Sequence, residues 1–302
     1  MSIPPSAPIL LNSDRLAVEI APPGTAYART RFDWTAFITQ VALDGAHTFC
    51  VPEDPDPDQG TGGIGLCNEF GIDQPIGYDD AQPGECFPKL GIGVLERADK
   101  SPYTFMRPYT IVERFPIQIE TTATSARFVV EPVECRGYAA RLTKTVTVEG
   151  ATLQIAYELE NVGQKPIVAN EYCHNFCGID GHLLGPDYSL RLPYPVGFEE
   201  PPPGMARRMG TILVVDGPEI RLSEEPNRPF YRRLVGYSQT EQPQWELVHA
   251  PSGVGMREID DFAPCRVALW GTTHVISTEV FKALDVQPGE TETWTRRWEF
   301  YA

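Results

Sequence analysis

The stretch of sequence that decides the fold runs from Tyr138 to Asn161 and reads YAARLTKTVTVEGATLQIAYELEN. Apolar and polar residues alternate on both sides of Glu149-Gly150-Ala151, and this period of two is typical of strands with one buried face. Gly150 can adopt a positive φ at the tight turn between the two strands. The stretch therefore predicts a long antiparallel hairpin.

Similar alternation, with many β-branched and aromatic residues, recurs outward from this hairpin along most of the 302 residues. The 29 Pro and 26 Gly are spread along the chain, which indicates many short elements joined by turns. The sequence contains no convincing amphipathic helix, and its best candidate is a short segment near Arg228–Leu234. One continuous strand is predicted at Lys89–Glu96. We expect a single all-β domain over residues 1–302, a large antiparallel sandwich of two packed sheets.

The formal net charge of −16 argues against nucleic acid or an anionic membrane as a partner, since both need clustered Lys and Arg. No leader sequence is recognisable after Met1–Pro5, and no apolar run is long enough to cross a bilayer. We therefore expect a cytoplasmic protein, either a monomer or a homodimer. The 7 Cys are odd in number and scattered, which favours reduced thiols over a disulfide framework.

His174 is the first candidate for chemistry, and it lies on the predicted strand Asn170–Phe176. Strand alternation places Tyr172 and His174 on one face and Cys173 and Cys177 on the other. It therefore argues against a Cys-His metal site, and no further pair of Cys at zinc-binding spacing occurs in the sequence. A histidine in such an apolar strand is either a hydrogen-bonded core residue or a functional group in a cleft, and the pattern leaves both open.

Glu279 is the second candidate, because it lies among Val, Ile and Phe in the segment Thr273–Phe281. Burial would raise the pKa of this carboxyl group and suit it to general-base catalysis, although a solvent-facing Glu at a strand end has the same local sequence. Arg31 and Lys89 are candidate substrate contacts, the former because its guanidinium is a rigid fork of donors. Trp270 is a candidate aromatic platform.

Four segments, in this order along the chain, resemble the galactose-mutarotase-like, or aldose 1-epimerase-like, superfamily. They are Thr30–Thr35, Gly84–Gly93, Asn170–Phe176, and a tail that runs from Glu279-Val280-Phe281 through Val286–Thr291 to Trp298–Tyr301. The resemblance implies an antiparallel β-supersandwich with an open sugar cleft on one face.

The resemblance also implies roles for particular residues. It makes His174 the general acid and Glu279 the general base of a sugar site. It makes Arg31, Lys89 and Asp33 candidate substrate contacts, and we add Tyr172 and Trp270 from the His174 face and the aromatic set.

The chain departs from true galactose mutarotases at the histidine strand. Those enzymes carry Asn-His-Thr-Tyr-Phe-Asn-Leu where this chain has Asn-Glu-Tyr-Cys-His-Asn-Phe. Their second, substrate-binding His has no identifiable counterpart, since His47 lies in a different setting. The sequence is therefore similar to a divergent branch, for which the fold transfers and the hexose specificity does not.

The leading functional hypothesis is interconversion of sugar anomers by one acid and one base, which needs no metal or organic cofactor. A second hypothesis is β-elimination on a sugar acid or an oxidised glycoside, with Tyr172 or His174 as the base and Arg31 neutralising the carboxylate. A third is a protein that binds carbohydrate without turnover. In all three the expected partner is a small carbohydrate.

Overall fold

The structure is a computed structural model that describes residues 7–200 and 212–302. The expectation drawn from Met1–Pro5 lies outside these residues. Within the described ranges the chain forms only strands and irregular segments, with no helix. The strands are β1 Ile9–Asn12, β2 Leu16–Ala21, β3 Phe37–Leu43, β4 His47–Thr48, β5 Leu66–Phe70, β6 Cys86–Lys89, β7 Gly93–Glu96, β8 Ile111–Arg114, β9 Ile117–Thr121, β10 Ser125–Val130, β11 Ala140–Glu149, β12 Thr152–Asn161, β13 Ile167–Asn175, β14 Tyr188–Arg191, β15 Gly197–Phe198, β16 Leu213–Asp216, β17 Glu219–Leu222, β18 Phe230–Val235, β19 Gln244–His249, β20 Val254–Asp260, β21 Arg266–Thr272, β22 Val275–Val286 and β23 Thr291–Tyr301.

Two ten-stranded antiparallel sheets and a three-stranded sheet contain these strands. The first sheet has the order β1-β2-β3-β5-β13-β22-β21-β18-β15, with β4 paired to β3. The second has the order β16-β17-β14-β19-β20-β23-β12-β11-β10-β9, and the small sheet is β6-β7-β8. The predicted all-β supersandwich is therefore confirmed.

The predicted hairpin at Tyr138–Asn161 is present as β11 and β12. Glu149 pairs with Thr152 across the turn, and Gly150 has a φ of 54°. One other local prediction is wrong, because the expected strand Lys89–Glu96 is broken by a turn at Gly91, where φ is 76°. The segment near Arg228–Leu234 contributes to β18, and the described residues contain no helix, in agreement with the absence of a convincing helix in the sequence.

The main core lies between the two large sheets and contains apolar residues from both, such as Val41 and Cys173 from the first and Ile155 and Trp298 from the second. A second apolar cluster covers the opposite face of the first sheet and includes Phe32, Phe87 and Phe176. We call this outer face of the first sheet, around β5, β13, β22 and β21, the cleft face.

A buried arginine fixes β13 from the core side. Arg296 on β23 is fully buried, and its Nη2 lies 2.8 Å from Oε2 of Glu171 on β13. The same guanidinium contacts Glu258 at 3.2 Å and Asp260 at 3.1 Å. Because side chains alternate along a strand, anchoring Glu171 toward the core turns Tyr172 and its even-numbered neighbours to the cleft face.

The described residues include no helix long and apolar enough to cross a lipid bilayer. All seven Cys have free thiols. Cys173 lies in the core between the sheets, away from the face that carries His174, as the alternation predicts.

Candidate active site

His174 and Glu279 meet on the cleft face of neighbouring strands β13 and β22. The His174 Nε2 atom lies 3.2 Å from Glu279 Oε1. Only 3% of His174 and 4% of Glu279 is exposed. Two residues that lie 105 positions apart in the printed sequence thus form a buried acid–base pair.

Burial shifts the pKa values of both members toward their neutral forms. It raises the pKa of Glu279 to about 7, an effect that Arg31 and Arg266 oppose. Burial, reinforced by the positive charge of Arg31, lowers the pKa of His174 well below its usual 6.5. A protonated Glu279 in contact with a neutral His174 is therefore the favoured state of the site below neutral pH.

Aromatic rings enclose the imidazole of His174. Phe176 stacks on it with ring centroids 3.8 Å apart, and Trp270 and Phe32 contact it edge-on at 5.3 Å and 5.9 Å. The Nδ1 atom of His174 is buried and has no hydrogen-bond partner within the described ranges. Such an unpartnered polar atom is rare in folded proteins and marks the pair as a place where a ligand group would be accommodated.

Glu69 on β5 organises the polar side of the site. It is fully buried and pairs across the strands with Tyr172. Its Oε2 accepts hydrogen bonds from Arg31 Nε at 2.9 Å and from the Tyr172 hydroxyl at 2.7 Å, and its Oε1 lies 3.6 Å from Lys89 Nζ. Arg31 also donates to Tyr172 at 2.9 Å and to Thr61 at 2.8 Å. One carboxylate thus holds two buried cations and a phenol in place.

The two cations are covered by the irregular segment between β7 and β8. Tyr103 from this segment accepts a hydrogen bond from Lys89 at 3.1 Å, and Phe105 lies 4.2 Å over the guanidinium of Arg31. Burial lowers the pKa of Lys89 to about 8, although Glu69 opposes this shift. A substrate that contacts Arg31 or Lys89 must displace Tyr103 and Phe105.

Asp33 does not join this group. It is 1% exposed and its Oδ2 lies 2.6 Å from Nζ of Lys144 on β11, a strand of the second sheet. Its Oδ1 accepts hydrogen bonds from the backbone and side chain of Thr35. These partners hold the carboxylate between the sheets, so the structure does not bring Asp33 into contact with the His174–Glu279 pair.

The structure brings the other predicted site residues together: His174, Glu279, Arg31, Lys89, Tyr172 and Trp270. Sequence reasoning missed Glu69 and the strand that carries it. A signal was present, because Leu66–Phe70 is a short, mostly apolar run bounded by Gly65 and Gly71 in which Asn68 and Glu69 are the polar residues. A Glu inside such a run is costly unless it is paired.

Comparisons with known proteins agree with this architecture. The sequence matches no family model and no curated protein. Among solved structures, a provisionally assigned aldose 1-epimerase from Escherichia coli K12 is similar over 98% of this chain and 99% of its own, with a TM-score of 0.63 and 10% identity.

Two lactobacillar structures give the same result. A galactose mutarotase related enzyme from Lactobacillus acidophilus has a TM-score of 0.60 and 10% identity over 98% of both chains. A galactose mutarotase-like protein from Lactobacillus casei has a TM-score of 0.60 and 13% identity, over 98% of this chain and 100% of its own. The chain therefore has the fold of galactose mutarotase-like proteins, at 10–13% sequence identity to these three structures.

Proposed function

We propose that the protein is an aldose 1-epimerase-like carbohydrate enzyme that interconverts sugar anomers at the His174–Glu279 pair. The observation that carries this proposal is the buried contact of 3.2 Å between the two side chains on the cleft face. The fold shared with galactose mutarotase-like structures supports it, because the reaction needs little beyond an acid and a base in a cleft.

Anomer interconversion requires removal of a proton from the C1 hydroxyl and delivery of a proton to the ring oxygen. The ring then opens, the carbonyl turns, and the reverse transfers close it on the other face. A pair in which Glu279 carries the proton and His174 is neutral meets this requirement, because one member donates while the other accepts. The resemblance implies His174 as the first donor, whereas the pKa directions favour Glu279 as the holder of the proton before the sugar binds.

A sugar must separate the pair to react. His174 and Glu279 are almost fully buried, so binding exchanges their mutual contact for hydrogen bonds to the C1 hydroxyl and the ring oxygen. The free Nδ1 of His174 and the half-buried Trp270 beside it supply a further polar contact and an apolar surface. The two side chains contact each other before a sugar binds. Exchanging that contact for hydrogen bonds with a polar ligand therefore costs little free energy.

The structure does not favour Tyr172 as the base of the elimination hypothesis, which has His174 as its other candidate base. Tyr172 is buried, and burial raises the pKa of its phenol well above its ordinary value of 10. Its hydroxyl already donates to Glu69 and accepts from Arg31. A base for proton abstraction needs the opposite shift.

The test is anomer exchange measured by polarimetry and by NMR on a panel of freshly dissolved aldoses. We expect the wild-type protein to accelerate at least one sugar, and His174→Ala and Glu279→Gln to lower that rate by a factor of about 100 or more each. His47→Ala is the matched control, because His47 also pairs with a carboxylate, Asp180 at 2.8 Å, but lies outside the cleft. Equilibration of every sugar at the buffer rate would refute the proposal.

A further inference from the structure

Two arginines continue the polar surface of the cleft face beyond Glu279. Arg266 on β21 pairs with Phe281 on β22, and Arg233 on β18 pairs with Ala268, which in turn pairs with Glu279. Paired residues in antiparallel strands point to the same side of a sheet. Arg233 and Arg266 therefore lie on the same face as the His174–Glu279 pair, toward the β18 side of the site.

Arg266 is held rigidly but is incompletely satisfied. Its guanidinium lies 3.6 Å over the ring of Phe281, and its Nη1 contacts Asp73 at 3.0 Å. Its buried Nε–H finds no hydrogen-bond acceptor among the residues that the structure describes. An unsatisfied guanidinium donor beside a candidate active site indicates a place for an anionic acceptor.

Arg233 differs from Arg266 in its exposure, because about half of its side chain is in solvent. The nearest carboxylate, Glu199, lies 3.7 Å away, and both side chains are about half exposed, at 49% and 53%. Surface pairs of this kind contribute little, so a ligand can replace Glu199 at small cost. The hydroxyl of Tyr231, two residues earlier on the same face of β18, lies beside Arg233 and provides a neutral donor.

The charges around this end of the site limit the kind of ligand it favours. The carboxylates that face it are Glu279, Asp73 and Glu199. Asp73 and Glu199 are more than half exposed at their side chains, and Glu279 is largely protonated below pH 7. The two guanidiniums keep their charge at every accessible pH.

We propose that Arg233 and Arg266 form an anion subsite of the sugar cleft, so that the preferred substrate is an aldose carrying a carboxylate or phosphate group away from C1. Two strand spacings of ~4.8 Å separate the backbone of Arg233 from that of Glu279. Ala268, which lies in this interval, is fully buried, so a pyranose ring with its anomeric carbon at Glu279 must displace the side chains over it before a substituent on the opposite side of the ring reaches the arginines. The inference rests on the proposed function and adds the substrate class to it.

The test compares kcat/KM for anomer exchange of glucose, glucuronate and glucose 6-phosphate, and of the corresponding galactose series. We expect one anionic form of a sugar to be preferred over its neutral parent by about 10- to 100-fold, the effect of one or two charge-assisted hydrogen bonds. Arg233→Gln and Arg266→Gln should each lower this preference about tenfold or more. Comparison of the uronate with the phosphate identifies which group the subsite takes.

Arg127→Gln is the matched control. Arg127 lies on β10 of the second sheet, with 47% of its side chain exposed and its partner Glu120 at 3.7 Å, as in the Arg233–Glu199 pair. The preference for the anionic sugar should survive this substitution. Equal turnover of neutral and anionic sugars, or a preference that Arg233→Gln and Arg266→Gln leave in place, would overturn the subsite while the epimerase proposal stands.

If no sugar is turned over, isothermal titration with the same six sugars still tests whether Arg233 and Arg266 form an anion subsite. Binding of an anionic sugar that both arginine substitutions weaken supports the subsite in a protein that is not an epimerase. Absence of any binding preference for the anionic sugars rejects it.

Discussion

Replacement of Glu279 by Gln should change how the stability of the protein depends on pH. The pKa of Glu279 is about 7 in the folded chain, against an ordinary value of 4.5, because the carboxyl group is buried. Between these two pH values the unfolded chain releases the proton and the folded chain keeps it. The contribution of this group to stability is therefore greatest below pH 4.5 and is lost as the pH rises through 7.

The size of the effect follows from the two pKa values. The interval from 4.5 to about 7 corresponds to about 3 kcal/mol of unfolding free energy, at about 1.4 kcal/mol per pKa unit. The amide that replaces the carboxyl group does not titrate, so Glu279→Gln should gain about 3 kcal/mol relative to wild type when the pH is raised from 4 to 8. His174 contributes in the opposite sense, since its lowered pKa costs stability as the pH falls below 6.5, but it is present in both proteins.

The assay is urea unfolding of both proteins at half-unit steps from pH 4 to 8. The informative quantity is the difference between their free energies of unfolding, because the groups that do not contact Glu279 cancel. Glu120→Gln, a substitution of a side chain that is 75% exposed, controls for the loss of one negative charge. A difference between wild type and Glu279→Gln that stays constant across this range would refute the assignment of a buried, protonated Glu279.

Two further predictions concern the scaffold of the site. Glu69→Gln leaves two buried cations without their shared carboxylate, so we expect denaturant unfolding to show a loss of about 3–5 kcal/mol; a loss under about 1 kcal/mol would contradict the role of Glu69. A Cβ at Gly91, where φ is 76°, would lie 2.1 Å from Cγ of Asp33, whereas Gly84 has a φ of 85° and open space around it. We therefore expect Gly84→Ala to cost about 1–2 kcal/mol from backbone strain alone, and Gly91→Ala to cost at least about 2 kcal/mol more, measured in the same way.

The parts of the fold that the sequence predicted are those fixed by local patterns. The alternation on both sides of Gly150 specified a hairpin that the structure contains as β11 and β12. The same alternation separated Tyr172 and His174 from Cys173, because a strand repeats every two residues whatever it packs against. The order of the four family-like segments predicted the supersandwich and indicated Glu279 as a candidate base.

The features that the sequence did not predict depend on pairing between residues that are far apart in the chain. Glu69 lies opposite Tyr172 only because β5 pairs with β13, and 103 residues separate the two in the chain. Asp33 was assigned to the cleft through its neighbours in sequence, yet its partner Lys144 belongs to the other sheet. The conformation near Arg228–Leu234, the best helix candidate of the sequence, depends in the same way on the pairing of β18 with β21.

The central claim is that His174 and Glu279 act as one acid–base unit, and a double-mutant cycle tests it most directly. For the sugar with the fastest anomer exchange, kcat/KM would be measured for wild type, His174→Asn, Glu279→Gln and the double variant. If the two groups share one proton, loss of either group removes the same catalytic step. The double variant should therefore be no slower than the slower single variant. Losses that multiply in the double variant, or a single variant that keeps the wild-type rate, would contradict the account.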